Sequence, residues 1–570
     1  MRIRLMSMAC AAALALSLVG CGEDAKQSAG PLAFVPADSP YVFGNLEPMP
    51  TDVSQAWIGM LSELPRLYTL QLKQVRAALQ REGDVDPVLL GVIDGLQAEI
   101  EGKTFEQILQ GFGYSMQTRM AFYGLDLLPV ARVELADPAA TRAAIARIEA
   151  KAGQPLPTAT VGELSYWKLA PKDAALMGVM AIVDNQLVLS VAPTAADDAL
   201  LKQVFGLTPP TTSILDSDGL AKLNAKYGYG PNGSGYFDLQ RIWQLIAQPS
   251  TPLQSAFMQA FEVTPPELDD TCKQEMAALT KAWPRSSFGY TRLDARTADM
   301  RWVTEAPSQV LSDLRSLQAP TPGLAAAESA LFNMSFAMKI DALPPLAGRW
   351  ADAVAAAPWQ CEFLQPMNQA FADFRTGAAN PGIYAAAPVV QSFNVLLTHF
   401  KTSPDMAQPE FKGKLLIGSP SPAALVSMLK AYVPGMAALE VPADGTATAL
   451  PALPDMPIAL PMFAAQTDKV FGVAFGEGEE ASLSTAMQMD SSVQPLMTVA
   501  YDGALYGELL GMLEPMMLAM GDDAEAKDAA EMLKVTRELY AKMFGRLAMQ
   551  MVVTEQGIEL LQRMEMPTTP

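Results

Sequence analysis

Carboxylates stand side by side at Asp269-Asp270, Glu479-Glu480 and Asp522-Asp523, and adjacent carboxylates can serve as general acid and base or as calcium ligands. All three pairs fall where helices are expected to begin, and acidic first turns complement the helix dipole without doing chemistry. Asp216, Asp218 and Gly219 open like a calcium loop, but no carboxylate follows at the required spacing, and Ser217-Asp218 reads better as a helix cap. Gly228, Gly230 and Gly233 spell G-x-G-x-x-G. They follow a helical stretch and lead into a strand, the reverse of a dinucleotide site, and Pro231 removes an amide that would face phosphate. A flexible turn accounts for them, and nucleotide binding is rejected. His399 is the sole histidine, within the strand-like run Phe393 to Phe400, and neither a G-x-S-x-G elbow nor an H-E-x-x-H motif occurs. No catalytic residue, cofactor or metal site is expected. An enzyme would have to unite two carboxylates from distant parts of the chain.

Two sulfur chemistries remain. Cys272 and Cys361 read as one disulfide, with two separate buried thiols or a metal pair as the alternatives. Methionine is overrepresented, thirty-three in all, with a concentration at Met512, Met516, Met517, Met520, Met532, Met543, Met549 and Met551. Helical spacing puts Met512, Met516 and Met520 on one stripe. Unbranched thioethers adapt to irregular shapes, so the stripe is a candidate groove for lipid or another hydrophobic ligand, set against ordinary core packing. Copper(I) is disfavoured because these methionines lie on expected helices without His or Cys partners.

The elements that must position these groups recur. Val130 to Leu135 alternates as a strand, and Asp137-Pro138-Ala139-Ala140 then opens a helix. About 284 positions on, Lys414 to Ile417 is followed by Ser421-Pro422-Ala423-Ala424. Each copy continues through a strand pair turning at Asp184-Asn185 or Asp468-Lys469. Gly235 to Leu239 is echoed by Val499 to Gly503, and each copy closes on a hairpin, Phe288 to Val303 or Leu547 to Leu561. The predicted fold is α+β: two tandem related modules, residues 31–310 and 325–570, with mainly antiparallel sheets and helices on one face. The join is expected near Ala306 to Ser329, and a helical insertion between Thr51 and Gly113.

The first twenty residues combine Arg2 and Arg4 with an apolar run too short to span a bilayer, which reads as an export signal. Leu18-Val19-Gly20-Cys21 resembles the lipobox of bacterial lipoproteins. That resemblance implies removal of residues 1–20, acylation of Cys21 and a tether over residues 21–30. Gly22 after the cysteine implies sorting to the outer membrane of a Gram-negative cell, on its periplasmic side. Loss of the leader, Cys10 included, takes 40 basic residues to 38 against 61 acidic ones, about −23 net. Such a charge repels nucleic acid and anionic headgroups. The order of elements and the opening Phe34-Val35-Pro36-Ala37-Asp38-Ser39-Pro40-Tyr41-Val42-Phe43 are similar to bacterial envelope proteins of a family without known activity. The expectation is a membrane-anchored, non-enzymatic binding or scaffold protein with an envelope protein or lipid as partner. A carrier of hydrophobic ligands and a carboxylate-dependent enzyme are the alternatives.

Overall fold

The computed structural model describes residues 30–82, 87–169, 175–247, 269–382, 389–401, 410–433, 436–451, 460–489, 494–520, 524–543 and 545–567; the side chains of 82, 514–520, 524–526 and 528 are outside the description. The leader, Cys21 and Asp522-Asp523 therefore also lie outside it. No helix among the described residues is long and apolar enough to cross a membrane.

The fold is α+β, and packing divides it into two compact units that each draw on separated segments. Among the described residues, the first comprises 30–247 with Met276–Trp302 and Leu510–Met543; the second comprises Asp269–Glu275, Val303–Leu509 and 545–567. In the first run β1 (Tyr41–Gly44), β2 (Met120–Leu125), β3 (Leu128–Glu134), β4 (Thr158–Val161), β5 (Leu164–Leu169), β6 (Leu176–Val183), β7 (Gln186–Pro193), β8 (Ser234–Asp238), β9 (Arg285–Leu293) and β10 (Thr297–Thr304). Their order is β4-β5-β6-β7-β3-β2-β1-β8-β9-β10, antiparallel from β4 through β9. The second unit holds β11 (Phe332–Ala337), β12 (Ser392–Lys401), β13 (Glu410–Gly418), β14 (Thr448–Ala449), β15 (Met462–Gln466), β16 (Val470–Phe475), β17 (Met497–Asp502), β18 (Arg546–Val553) and β19 (Ile558–Glu565). Their order is β14-β15-β16-β13-β12-β11-β17-β18-β19, which repeats the first from β5 onward.

The duplication reaches single hydrogen bonds. The Asp238 amide donates to Pro40 O and that of Leu239 to Pro284 O; at the matching places Asp502 donates to Leu331 O and Gly503 to Gly545 O. Asp137 caps the helix Pro138–Ala152 by accepting from the amides of Ala139 and Ala140, as the Asp-Pro signal requires. Ser421 occupies the same place before Pro422–Tyr432, without a side-chain cap bond.

The insertion folds as helices Thr51–Met60, Leu64–Glu82, Pro87–Ile100 and Phe105–Gly111. Leu61, Phe105 and Leu109 pack over Met120, Val133, Ile182 and Leu187. Pro87–Ile100 lies against Pro138–Ala152 so closely that a Cβ at Gly91 would come within 2.5 Å of the Ala152 Cα. Glu99 fixes the same contact by accepting from Arg147 and Lys103. Those hydrogen bonds, Arg147 foremost, overcome partial burial and hold the Glu99 carboxyl at about 2.

Each unit takes in a segment belonging to the other copy in sequence, the helix Ala524–Met543 in the first and only Asp269–Glu275, the start of a helix, in the second. In the first, Ala524–Met543 buries Ala530, Val535 and Leu539, and Glu531 and Glu538 pair with Arg66 while Lys542 pairs with Glu63. In the second, Asp269 caps the helix Asp270–Ala282 through the Cys272 amide. One turn on, the Glu275 carboxylate accepts from the amides of Gln360 and Cys361. Cys272 and Cys361, both buried, are joined in a disulfide that spans 89 residues. Closing a loop of that length is worth about 4–5 kcal/mol in the chain-entropy model. Replacing both cysteines with serine is therefore expected to lower the urea-unfolding free energy by up to that amount; an unchanged midpoint would show that the bond constrains nothing.

Candidate binding surface

Residues two apart in a strand share a face, so β11 sorts its side chains into Phe332, Met334 and Phe336 on one side and Asn333, Ser335 and Ala337 on the other. In an ordinary half-buried strand the apolar set faces the core. Here the polarity is inverted. Asn333, Ser335 and Ala337 are buried, whereas Met334 is 39% and Phe336 38% exposed. Both neighbours repeat the inversion. On β12, Ser392 and Asn394 are buried beside half-buried Phe393 and Val395; on β17, Thr498 is buried between exposed Met497 and half-buried Val499.

The register extends the outward set across five strands. Phe336 stands opposite Phe393 on β12 and Met497 on β17; Met497 opposes Met551 on β18, which opposes Leu560 on β19. The adjacent row is Val395, Met334, Val499, Met549 and Gln562, and the third is Leu397, Phe332, Tyr501, Leu547 and Met564. Three rows on five strands make a platform of about 19 Å by 13 Å whose rows carry no charged side chain. Met497 and Leu560 are, like Met334 and Phe336, more than a third exposed. Five of the fifteen positions are methionine, a side chain that reshapes to what it touches.

The inward face explains why the strand turned over. Asn394 donates to Pro322 O at 2.7 Å and accepts from the Asn333 amide, and Ser392 donates to Pro320 O at 2.8 Å. The loop before the helix Leu324–Ala327 thus presents carbonyls that only short polar side chains at these positions can satisfy. The first unit solves the same problem differently. Asn394 and Leu416 face each other, as do Ala121 and Arg132. There the wholly buried Arg132 does the bonding, donating to Gln186 Oε1 and Phe205 O beneath the Phe34 ring.

The groups singled out in the sequence do not gather at this surface. Met512 is half-buried in the helix Gly503–Met520, and the side chains of Met516 and Met520 lie outside the described residues. Met549 and Met551, from the same methionine-rich stretch, are on the platform. Gly228, Gly230 and Gly233 follow the helix Gly219–Tyr227 and precede β8, as the turn reading requires; Asp218 stands at that helix's N-cap in a left-handed conformation without a side-chain cap bond. His399 is 44% exposed, with Nε2 3.8 Å from Glu410 Oε2, so it is not packed in a core. Glu479 starts a 3-10 turn and does more than complement a dipole: it pairs with buried Lys414 and accepts from Thr398 at 2.6 Å. Burial pushes its carboxyl up, but those two hydrogen bonds outweigh it and the net direction is down. Among the described residues no group of three or more His, Cys, Asp or Glu is placed to hold a metal.

Compared with protein-family models, curated proteins and solved structures, the chain matches none of them, so the envelope resemblance rests on the quoted residues alone. The inverted pattern makes its own stability forecast. Met334→Lys, on the open face, is expected to change the unfolding free energy by less than about 1 kcal/mol. Asn394→Ala is expected to cost about 1–3 kcal/mol because it strands Pro322 O and leaves the Asn333 side-chain Nδ2 with only the long 3.5 Å contact to Val395 O. Chemical denaturation of the two variants checks the order, and a costlier Met334→Lys would mean that the apolar face is core.

Proposed function

We propose that this chain is a membrane-anchored, non-enzymatic lipoprotein of the bacterial envelope that binds the acyl chains of lipids on the open face of β12-β11-β17-β18-β19. The anchor half of the reading rests on the lipobox-like Leu18-Val19-Gly20-Cys21, with Gly22 favouring the outer membrane and its periplasmic side. At about 0.8 kcal/mol per buried methylene, the two or three chains carried by such a cysteine make release negligible.

The binding half rests on one observation: four large apolar side chains, Met334, Phe336, Met497 and Leu560, stay more than a third exposed at the centre and margin of a charge-free platform. A contiguous apolar face without charge on a folded protein is a candidate interaction site. Acyl chains fit it better than a folded partner does. Protein interfaces surround their apolar centre with hydrogen-bonding groups, whereas these rows offer only Tyr501 and Gln562. Methionine and phenylalanine in alternation suit a ligand of variable shape.

The test is native mass spectrometry with lipid extraction on a form beginning at Gly22, exported to the periplasm behind a cleavable leader. Lipid is expected to copurify near one equivalent or more and to be lost from Met334→Glu and Met497→Glu. A clean apo mass, or lipid retained by both variants, would overturn the acyl-chain reading and leave a protein partner as its replacement.

A further inference from the structure

A second concavity of different chemistry lies in the first unit. The opening segment Ala37–Ser39, the end of β8 and the first turns of the helix Leu239–Ala247 border an open cavity of about 240 Å3. Arg241, Arg285, Gln240 and Gln244 line it as hydrogen-bond donors, with Asp38 and Asp238 as acceptors.

The duplication supplies an internal control for which of these groups the module needs. Asp238 faces Arg285 across the β8-β9 ladder, pairs with it at 3.1 Å and accepts from the Arg241 amide. Asp502 faces Arg546 across β17-β18 in the same way, and its carboxylate accepts from the Ala504 amide. The facing Asp and Arg are therefore part of the frame, although Arg546 donates to the Ala327 and Ala330 carbonyls where Arg285 pairs with Asp238. Counting from Asp238 and Asp502, however, Gln240, Arg241 and Gln244 correspond to Ala504, Leu505 and Glu508. The module folds without these three donors, yet the first copy turns all of them onto the cavity.

Arg241 is poorly satisfied where it stands. Its ion pair is with Asp38 at 2.8 Å, a carboxylate 73% exposed, and a pair so open to water is weak. The Nε atoms of Arg241 and Arg285 are both buried and lack an acceptor among the described residues; buried donors left so are costly and ask for a partner. The Arg285 guanidinium is already fixed over the Tyr236 ring, 4.6 Å from its centre, so one donor is held in place before any ligand arrives. Guanidinium groups match the oxygens of a phosphate in paired, charge-assisted hydrogen bonds.

We propose that this cavity is a phosphate-group site, with Arg241 as its principal ligand, Arg285, Gln240 and Gln244 as further donors, and Asp38 as the carboxylate that the phosphate displaces. The chain's net charge of −21 repels anions at long range, so binding depends on these short contacts and does not arise from general attraction. Free phosphate and a phospholipid headgroup share this chemistry.

The experiment is titration calorimetry of the non-acylated form beginning at Gly22 with inorganic phosphate and, separately, with vesicles containing phosphatidylglycerol, for wild type, Arg241→Leu and Asp38→Asn. Leucine is what the second copy carries at the matching position, so Arg241→Leu is expected to fold, with its thermal unfolding as the control. Arg241→Leu should weaken binding by about tenfold or more, and Asp38→Asn, which removes the competing carboxylate, should strengthen it. Heat that Arg241→Leu loses supports the proposal, as a free-phosphate site where inorganic phosphate evokes it and as a headgroup site where only the vesicles do. No binding of either probe by wild type, or equal binding by folded Arg241→Leu, overturns the proposal.

Discussion

A β-strand has two faces and no third option, and the second unit depends on how β11 settles that choice. Phe-Asn-Met-Ser-Phe-Ala must bury one alternate set. Burying the phenylalanines and methionine would have gained more from the hydrophobic effect, at roughly 25 cal/mol per Å2 of apolar surface. The carbonyls of Pro320 and Pro322 lie over the other face, and they select Asn394 and Ser392. Once β12 is oriented by those bonds, cross-strand register carries β11, β17, β18 and β19 with it, since a one-residue slip would flip every side chain. The exposed apolar platform is thus the far side of a buried face that sets Asn333, Ser335, Ser392, Asn394 and Thr498 among Ala337, Leu396 and Ala500.

The two copies show how far one topology tolerates a change of interior chemistry. Arg132, wholly buried, occupies the place of Leu416, while Ala121 occupies the place of Asn394. A single long cation on one sheet and the pair Asn394 and Ser392 on the other bond inward carbonyl oxygens, while Ser335 Oγ and Thr498 Oγ1 lie buried without a partner among the described residues. Burial pushes the Arg132 guanidinium down from its ordinary value, yet its hydrogen bonds to Gln186 and Phe205 keep it in place. The outer faces diverge in parallel. The first copy covers part of its face with the helices between Thr51 and Gly111, through Leu61, Phe105 and Leu109, and leaves Phe237 37% exposed; the second leaves Met334 and Met497 in the open.

Much of the frame was legible in the sequence. Asp137-Pro138, the turns at Asp184-Asn185 and Asp468-Lys469, the echo of Phe237-Asp238 in Tyr501-Asp502 and the closing hairpins are local signals, set by capping and turn chemistry within a few residues. The pairing of Cys272 with Cys361 was readable by counting. The platform was not. Alternation shows that β11 is a strand but not which face turns inward, and ordinary polarity points to the wrong one. The methionine excess is visible in sequence, and so is the helical spacing of Met512, Met516 and Met520, whereas cross-strand neighbours such as Met497 and Met551 carry no mark there. The pairing of Lys414 with Glu479 and the exchange of Asp269–Glu275 and Leu510–Met543 between the units depend on contacts between residues tens to hundreds of positions apart, for which one sequence holds no local mark.

The claim that joins these observations is that the outward face of β11 and β17 is where a hydrophobic ligand lies. The most direct measurement is photolabelling of the intact protein with a diazirine-bearing fatty acid, followed by peptide mapping. Labels concentrated on Phe332–Ala337, Met497–Asp502 and Arg546–Val553 are the predicted result. Labels scattered over the surface, or confined to other segments, would contradict the account.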